Sequence, residues 1–179
     1  MKLLLSMLFL FSNPQQKKEL NIEDLIVGEV QTSVDQIGIK RIASSTVISK
    51  LPPEKIWKIL TSYDTMEEFL PSVNNSTLLK KENKTATVDY SLNIAWQELR
   101  FVQECVESEN NQFLTFKTLK GDLKNYEGSW KLEPMGNQTK ITYNVSVDYD
   151  SILPDWLLNK LMKTGISYLV ETIVVKAAI

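Results

Sequence analysis

The sequence holds no histidine and one cysteine, Cys105, in 179 residues. Without histidine, Ser-His-Asp and Cys-His catalysis are excluded, as are the usual proton shuttle near neutral pH and the common zinc sites. An enzyme built on this chain would have to use carboxylates, tyrosine, lysine or serine. A lone cysteine forms no intrachain disulfide, and its setting in QECVES reads as a small buried hydrophobe. A charge excess is lacking too: 20 Lys and Arg against 22 Asp and Glu leave a formal net charge of −2. Such a chain has no general attraction for phosphate backbones, so no nucleic-acid partner is expected. Lys80-Lys81 and the Lys117, Lys120, Lys124 group read as hairpin ends and solvated faces.

No apolar run reaches the roughly 20 residues of a membrane-spanning helix. The longest opens the chain: Lys2, then Leu3–Phe11 broken only by Ser6, then polar residues and Pro14. Residues 1–16 therefore read as a signal-like hydrophobic leader, without an A-x-A cleavage site and without a cysteine at its exit. Export to the periplasm or the outside is expected, with membrane association through an uncleaved leader as the alternative. The whole chain is 43% hydrophobic and 23% charged, and the remainder, 25–179, reads as one folded domain.

After a short charged stretch, Val27–Ser33 and Ile39–Ser49 have strand character around a turn near Asp35–Gly38. In LPPEKIWKILTSYDTMEEFLP, Pro53 fits the first helical position, where its missing N–H costs nothing. Ile56, Trp57 and Leu60 make one apolar face, Thr65–Leu70 adds a turn or two, and Pro71 ends it. The period then changes to two: Ala86, Val88, Tyr90, Leu92 and Ile94 alternate with polar residues. Gln97–Val106, Gln112–Leu119, Tyr126–Leu132 and Lys140–Tyr149 are strands of similar length, separated by turn residues such as Asn83-Lys84 and Gly136-Asn137. Short spacing makes them an antiparallel meander. Pro154–Lys176 is a helix with Leu158, Leu161, Met162, Leu169 and Ile173 on one face. The fold class is α+β: a curved antiparallel sheet of six to seven strands gripping the final helix, with two short helices after the first strands. Such a grip leaves a cavity, and Gly128 on the sheet and Gly165 on the helix would each leave room in it.

In Gly121–Glu133, GDLKNYEGSWKLE, the residues Tyr126, Gly128, Trp130 and Leu132 share one face. Facing inward they make an apolar pocket wall, with the Tyr126 hydroxyl free for a polar group of a ligand; the alternative is that Trp130 only packs on the final helix. Tyr90, Phe101 and Phe116 are further strand aromatics that can line the cavity, and Phe69 lies at its rim. From the helix, Leu158, Met162, Gly165 and Leu169 complete the candidate ligand-binding set. Ile152, Leu153 and Trp156 lie where strand meets helix and are candidates for membrane contact. Glu67-Glu68 diverge by about 100° on a helix and read as solvated, not as an acid/base pair. No catalytic residue, metal ligand or cofactor is assigned.

Laid out this way, the chain resembles the START-like, helix-grip superfamily, in particular its polyketide cyclase/dehydrase and coenzyme Q-binding branch. The match runs from about Gly28 to the C-terminus. It includes Ala43–Ser49 leading into the helix with Trp57, Tyr63-Asp64 before Phe69-Leu70-Pro71, Gly121-Asp122…Tyr126…Gly128…Trp130…Leu132-Glu133-Pro134, and Pro154-Asp155-Trp156-Leu157 opening the last helix. The resemblance implies a lipid, isoprenoid quinone or polyketide held between sheet and helix. Function stays open, because this fold hosts carriers, enzymes and regulators. A carrier of a hydrophobic small molecule is the leading expectation. The alternatives are a cyclase or dehydratase of a polyketide-like substrate and a protein-interaction module of the toxin type.

Overall fold

A computed structural model describes residues 21–94, 97–149 and 153–179. The leader lies outside the described residues. Among those described, no helix is long and apolar enough to cross a membrane. Asn21 caps a single turn, α1 (Ile22–Leu25), its side chain accepting from the Glu23 N–H. The long hairpin β1 (Ile26–Ile37) and β2 (Lys40–Ser49) follows. Pro53 opens α2 (Pro53–Leu60), which buries Ile56, Trp57 and Leu60. A 3-10 turn at Met66–Glu68 leads into β3 (Val73–Glu82). The meander continues as β4 (Thr85–Ile94), β5 (Gln97–Glu107), β6 (Phe113–Gly121), β7 (Lys124–Met135) and β8 (Gln138–Asp148). The chain closes on α3 (Asp155–Ala178).

The sheet has eight strands in the order β1-β2-β8-β7-β6-β5-β4-β3, all neighbours antiparallel. That is one strand more than the upper expectation, and the extra strand is β3. It escapes a period-two reading because it is an edge strand with register shifts after Val73 and after Leu78, and only Val73 and Ser76 on it are fully buried.

The inner face follows from alternation. On β8 it carries Thr139, Ile141, Tyr143, Val145 and Val147, all buried. On β2 it carries Arg41, Ala43, Ser45, Val47 and Ser49. α3 lies across this face on the β1–β2 side, pinned by hydroxyls: Thr32 Oγ1 is 2.9 Å from Ser45 Oγ and 2.8 Å from Ser167 Oγ. The halves of α3 differ in packing. Val170, Ile173, Val174 and Ala177 are buried beside α2, whereas Met162, Ile166 and Leu169 are half-buried. Leu161, expected on the inward face, is exposed; the 3.6-residue period carries it past Leu158 and Met162 toward solvent.

Candidate functional site

The β4–β8 half of the inner face is not filled by α3, and aromatic rings occupy it instead. The rings meet one another in a chain across the strands. Tyr90 on β4 meets Phe101 on β5, with ring centroids 5.6 Å apart. Phe101 meets Tyr126 on β7 at 5.6 Å, and Tyr126 meets Phe116 on β6 at 5.3 Å. Phe116 stacks on Tyr143 of β8 at 6.0 Å, and Tyr143 meets Trp130 at 4.3 Å. The rings form a continuous wall across five strands.

Beneath the wall lies a cavity of about 150 Å³, closed on the opposite side by Leu60, Tyr63, Met66, Leu70, Leu169 and Ile173. It runs from Cys105 and Leu114 to the rim of the sheet at Leu92, half-buried, and Ser72, exposed. A larger depression, about 510 Å³, lies on the outer face of the sheet among Glu104, Lys117, Glu127 and Asn144. It is more open and Glu104, Lys117 and Glu127 border it, so the aromatic cavity is the better candidate.

Polar groups enter the cavity at a few points. Tyr63, on the α2–β3 connection, donates its hydroxyl to Glu107 Oε1 at 2.9 Å, and Lys81 Nζ donates to the same oxygen at 2.8 Å. This compensates the buried Glu107 carboxylate. Tyr126 and Tyr143 flank the Phe116 ring and bring two further hydroxyls into the wall. Gln103 lines the wall, its side-chain amide set 3.1 Å from Cys105 Sγ.

Burial raises the pKa of Tyr63, Tyr90, Tyr126 and Tyr143, each primarily by desolvation. Burial likewise pushes the Cys105 thiol up to about 11. Each of these shifts is upward, so the lining tyrosines and the thiol stay uncharged further above neutral pH. Among the described residues no cluster of three or more His, Cys, Asp or Glu is placed to hold a metal ion.

Of the expected ligand-binding residues, Tyr90, Phe101, Phe116, Tyr126, Trp130 and Leu169 all line this one cavity. Phe69 does not: it is half-buried beneath Lys176, whose Nζ is 5.4 Å from its ring centroid. Leu158 is buried and Met162 half-buried against the core, and neither borders the cavity. Both lie in the half of α3 nearer the β1–β2 side. Gly165 is exposed, with nothing within 4 Å of where a Cβ would stand, so it leaves no room inside. Gly128 leaves none either. A Cβ there would collide with the Asn144 carbonyl oxygen and with the Phe116 ring, which lies over the glycine. Ile152 falls outside the described residues; Leu153 is half-buried and Trp156 strongly exposed.

Sequence reasoning did not single out Tyr63, Gln103, Cys105 and Tyr143 for the site. For Tyr143 a signal existed, since it shares the inner face of β8 with Ile141 and Val145. For Tyr63 none did, because its irregular segment has no period.

A curved antiparallel sheet closed by a long C-terminal helix over an apolar cavity defines the START-like, helix-grip class. Within it, the chain belongs to the family described as polyketide cyclase / dehydrase and lipid transport, whose profile matches residues 49–173. Solved structures with this fold include three at low identity. The STAR-related lipid transfer protein of Xanthomonas axonopodis is 16% identical, with a TM-score of 0.65 over 82% of this chain and 94% of that one. A START superfamily protein of Mycobacterium smegmatis is 17% identical, with a TM-score of 0.66 over 74% and 94%. The ZhuI aromatase/cyclase of Streptomyces sp. R1128 is 10% identical, with a TM-score of 0.64 over 78% and 92%. No curated protein matches the sequence.

Proposed function

We propose that the protein binds and carries a hydrophobic small molecule, of the lipid, isoprenoid quinone or polyketide-like kind, in the cavity between sheet and α3. The observation that carries this reading is the aromatic wall around a cavity whose shifted titratable groups are all held neutral. Such a surface solvates rings and chains and offers hydroxyls and an amide for orientation, but no group poised to move protons near pH 7. The lipid transfer protein from Xanthomonas supports a carrier by analogy of fold.

The space of about 150 Å³ matches one ring-sized group, since an apolar cavity of roughly that size takes up benzene. A larger cargo would place its ring against the Phe101–Phe116–Tyr126 wall and leave its remainder at the rim by Leu92 and Ser72, or displace the half of α3 that carries Met162 and Ile166. Titration with quinones, phenols and fatty acids of graded size, followed by tryptophan fluorescence, tests this. Saturable one-to-one binding lost in Phe116→Ala is expected; no saturable binding across the panel would overturn it.

The cyclase or dehydratase reading is favoured by one observation, the two tyrosines Tyr126 and Tyr143 on either side of Phe116, whose hydroxyls could hold a carbonyl while a chain folds. Turnover of a polyketide-like substrate abolished in Tyr126→Phe would establish it. Export, or attachment through an uncleaved leader, is proposed from residues 1–16; N-terminal sequencing of the mature protein tests it.

A further inference from the structure

The inner face of β5 changes character along its length. From the rim inward it carries Leu99, Phe101, Gln103, Cys105 and Glu107, all buried. The register sets the direction. Leu99 stands opposite Leu92 at the rim, Gln103 opposite Val88, Cys105 opposite Ala86, and Glu107 opposite Leu114 on β6. The mouth of the cavity is therefore apolar on this strand, and the polar groups lie toward its closed end. Buried polar groups cost stability unless they are hydrogen-bonded, so the bonds they already make decide what they can still do.

Two of these groups have capacity left over. Gln103 is 8% exposed and lines the cavity. Its Nε2 is set 3.1 Å from Cys105 Sγ, a weak acceptor, and its Oε1 takes no hydrogen bond from the described residues. Tyr63 is 2% exposed and lines the same cavity. Its single hydroxyl hydrogen is committed to Glu107 Oε1 at 2.9 Å, and Lys81 Nζ, reaching in from β3, donates to the same oxygen at 2.8 Å. Lys81 Nζ also stands 5.3 Å from the centroid of the Tyr63 ring, which braces the arrangement from the sheet edge. With its hydrogen taken, the Tyr63 oxygen has only lone pairs to offer.

The other hydroxyls of the lining, on Tyr90, Tyr126 and Tyr143, rotate and serve as donor or acceptor alike, so they do not discriminate. Gln103 Oε1 and the Tyr63 oxygen do, because both require a hydrogen. A ring carbonyl brings none and would leave both acceptors unmatched. No lysine or arginine is among the residues lining the cavity, so an anionic head would be buried near Glu107 without a free counter-ion.

We propose that the closed end of the cavity recognises a neutral ring hydroxyl, that of a phenol or hydroquinone, donated to Gln103 Oε1 with the Tyr63 oxygen as second acceptor, while the rest of the cargo points to the rim. The inference rests on the carrier reading and narrows its cargo: of a quinone couple, the reduced form fits.

Isothermal titration calorimetry of the full chain with three probes tests it. They are para-hexylphenol, para-fluoro-hexylbenzene, which keeps the ring and chain without a hydrogen to donate, and para-hexylbenzoate. A purely apolar pocket would rank the fluoro compound first, because the phenol has to shed the hydration of its hydroxyl. The phenol is instead expected to bind at least about tenfold more tightly than either other probe. Gln103→Leu should reduce the phenol-to-fluoro ratio at least about fivefold, and Tyr63→Phe about two- to threefold. Wild type that binds the fluoro compound as tightly as the phenol, both saturably, overturns the proposal and leaves the carrier reading standing. That comparison needs no variant, so it decides even where a substitution prevents folding. A preference for the phenol that survives in both folded variants overturns the assignment to Gln103 and Tyr63. Absence of saturable binding by all three probes overturns the carrier reading and this inference with it.

Discussion

Gly128→Ala adds one methyl group at the centre of the aromatic wall. Gly128 stands opposite Val145 in the β7–β8 ladder, and a Cβ on it would overlap the Asn144 carbonyl oxygen and the Phe116 ring and lie 3.0 Å from Val145 Cα. Neither overlapped neighbour can retreat cheaply. Asn144 is fixed opposite Ser129, and Phe116 is wedged between Tyr126 and Tyr143. Overpacking a core by a methylene costs about 1–3 kcal/mol, and collision with backbone in a ladder puts this site at the upper end, about 3 kcal/mol. For a domain of this size each kcal/mol moves Tm by about 2–4 °C, so the variant should melt roughly 6–12 °C below wild type. Displacement of the Phe116 ring should also weaken ligand binding. Gly165→Ala is the control: it is exposed in the interior of α3 with open space around it, and should gain about 0.5–1 kcal/mol. Urea and thermal unfolding of both variants measure the difference. Gly128→Ala within about 0.5 kcal/mol of wild type would refute the packing of Phe116 over the glycine.

Other predictions concern titration. Cys105, raised from the ordinary 9.0 to about 11 mainly by burial, should react with N-ethylmaleimide at pH 8 roughly 100-fold more slowly in the folded than in the unfolded protein; folded-state labelling at the unfolded rate would show that the cavity is open. Three surface carboxylates have lowered pKa values: Glu67 through the Ser76 hydroxyl, Glu98 through the Ser91 hydroxyl, and Glu133 through Lys131. Because the folded state holds them below the ordinary value of 4.5, their contribution is present above that pH and fades as pH falls through their folded values. Glu67→Gln should therefore flatten the acid limb of the stability curve and leave the slope above pH 6 unchanged; a slope that changes only above pH 6 would contradict the assignment.

Alternation alone made the inner faces of β4 and β8 legible, because each strand has one buried and one solvated side. That placed Tyr90, and through the β6 and β7 neighbours Phe116, Tyr126 and Trp130, on a common wall. β3 was not legible, since an edge strand with two register shifts carries no sustained period. Gly128 was legible as a special position but not in its effect: a glycine opposite a bulky neighbour is filled by that neighbour, and no single strand shows that Phe116 pairs with it. Gly165 misled for the complementary reason, because helical phase, not residue size, decides whether a gap faces inward. Arg41 and Asp155 are separated by 114 positions, so their pair depends on where α3 begins over the sheet. In KRIASSTVIS only the position of an arginine among small inward residues hinted at it.

The cavity and its cargo are tested most directly by mass spectrometry of an organic extract of the folded wild-type protein, beside an extract of Leu169→Trp. Leu169 lines the cavity from α3, and an indole there occupies the space without disturbing the sheet. The account predicts a hydrophobic compound near one per molecule from wild type and almost none from the folded variant. A well-folded wild type that yields nothing, or the same compound at equal yield from both proteins, would contradict it.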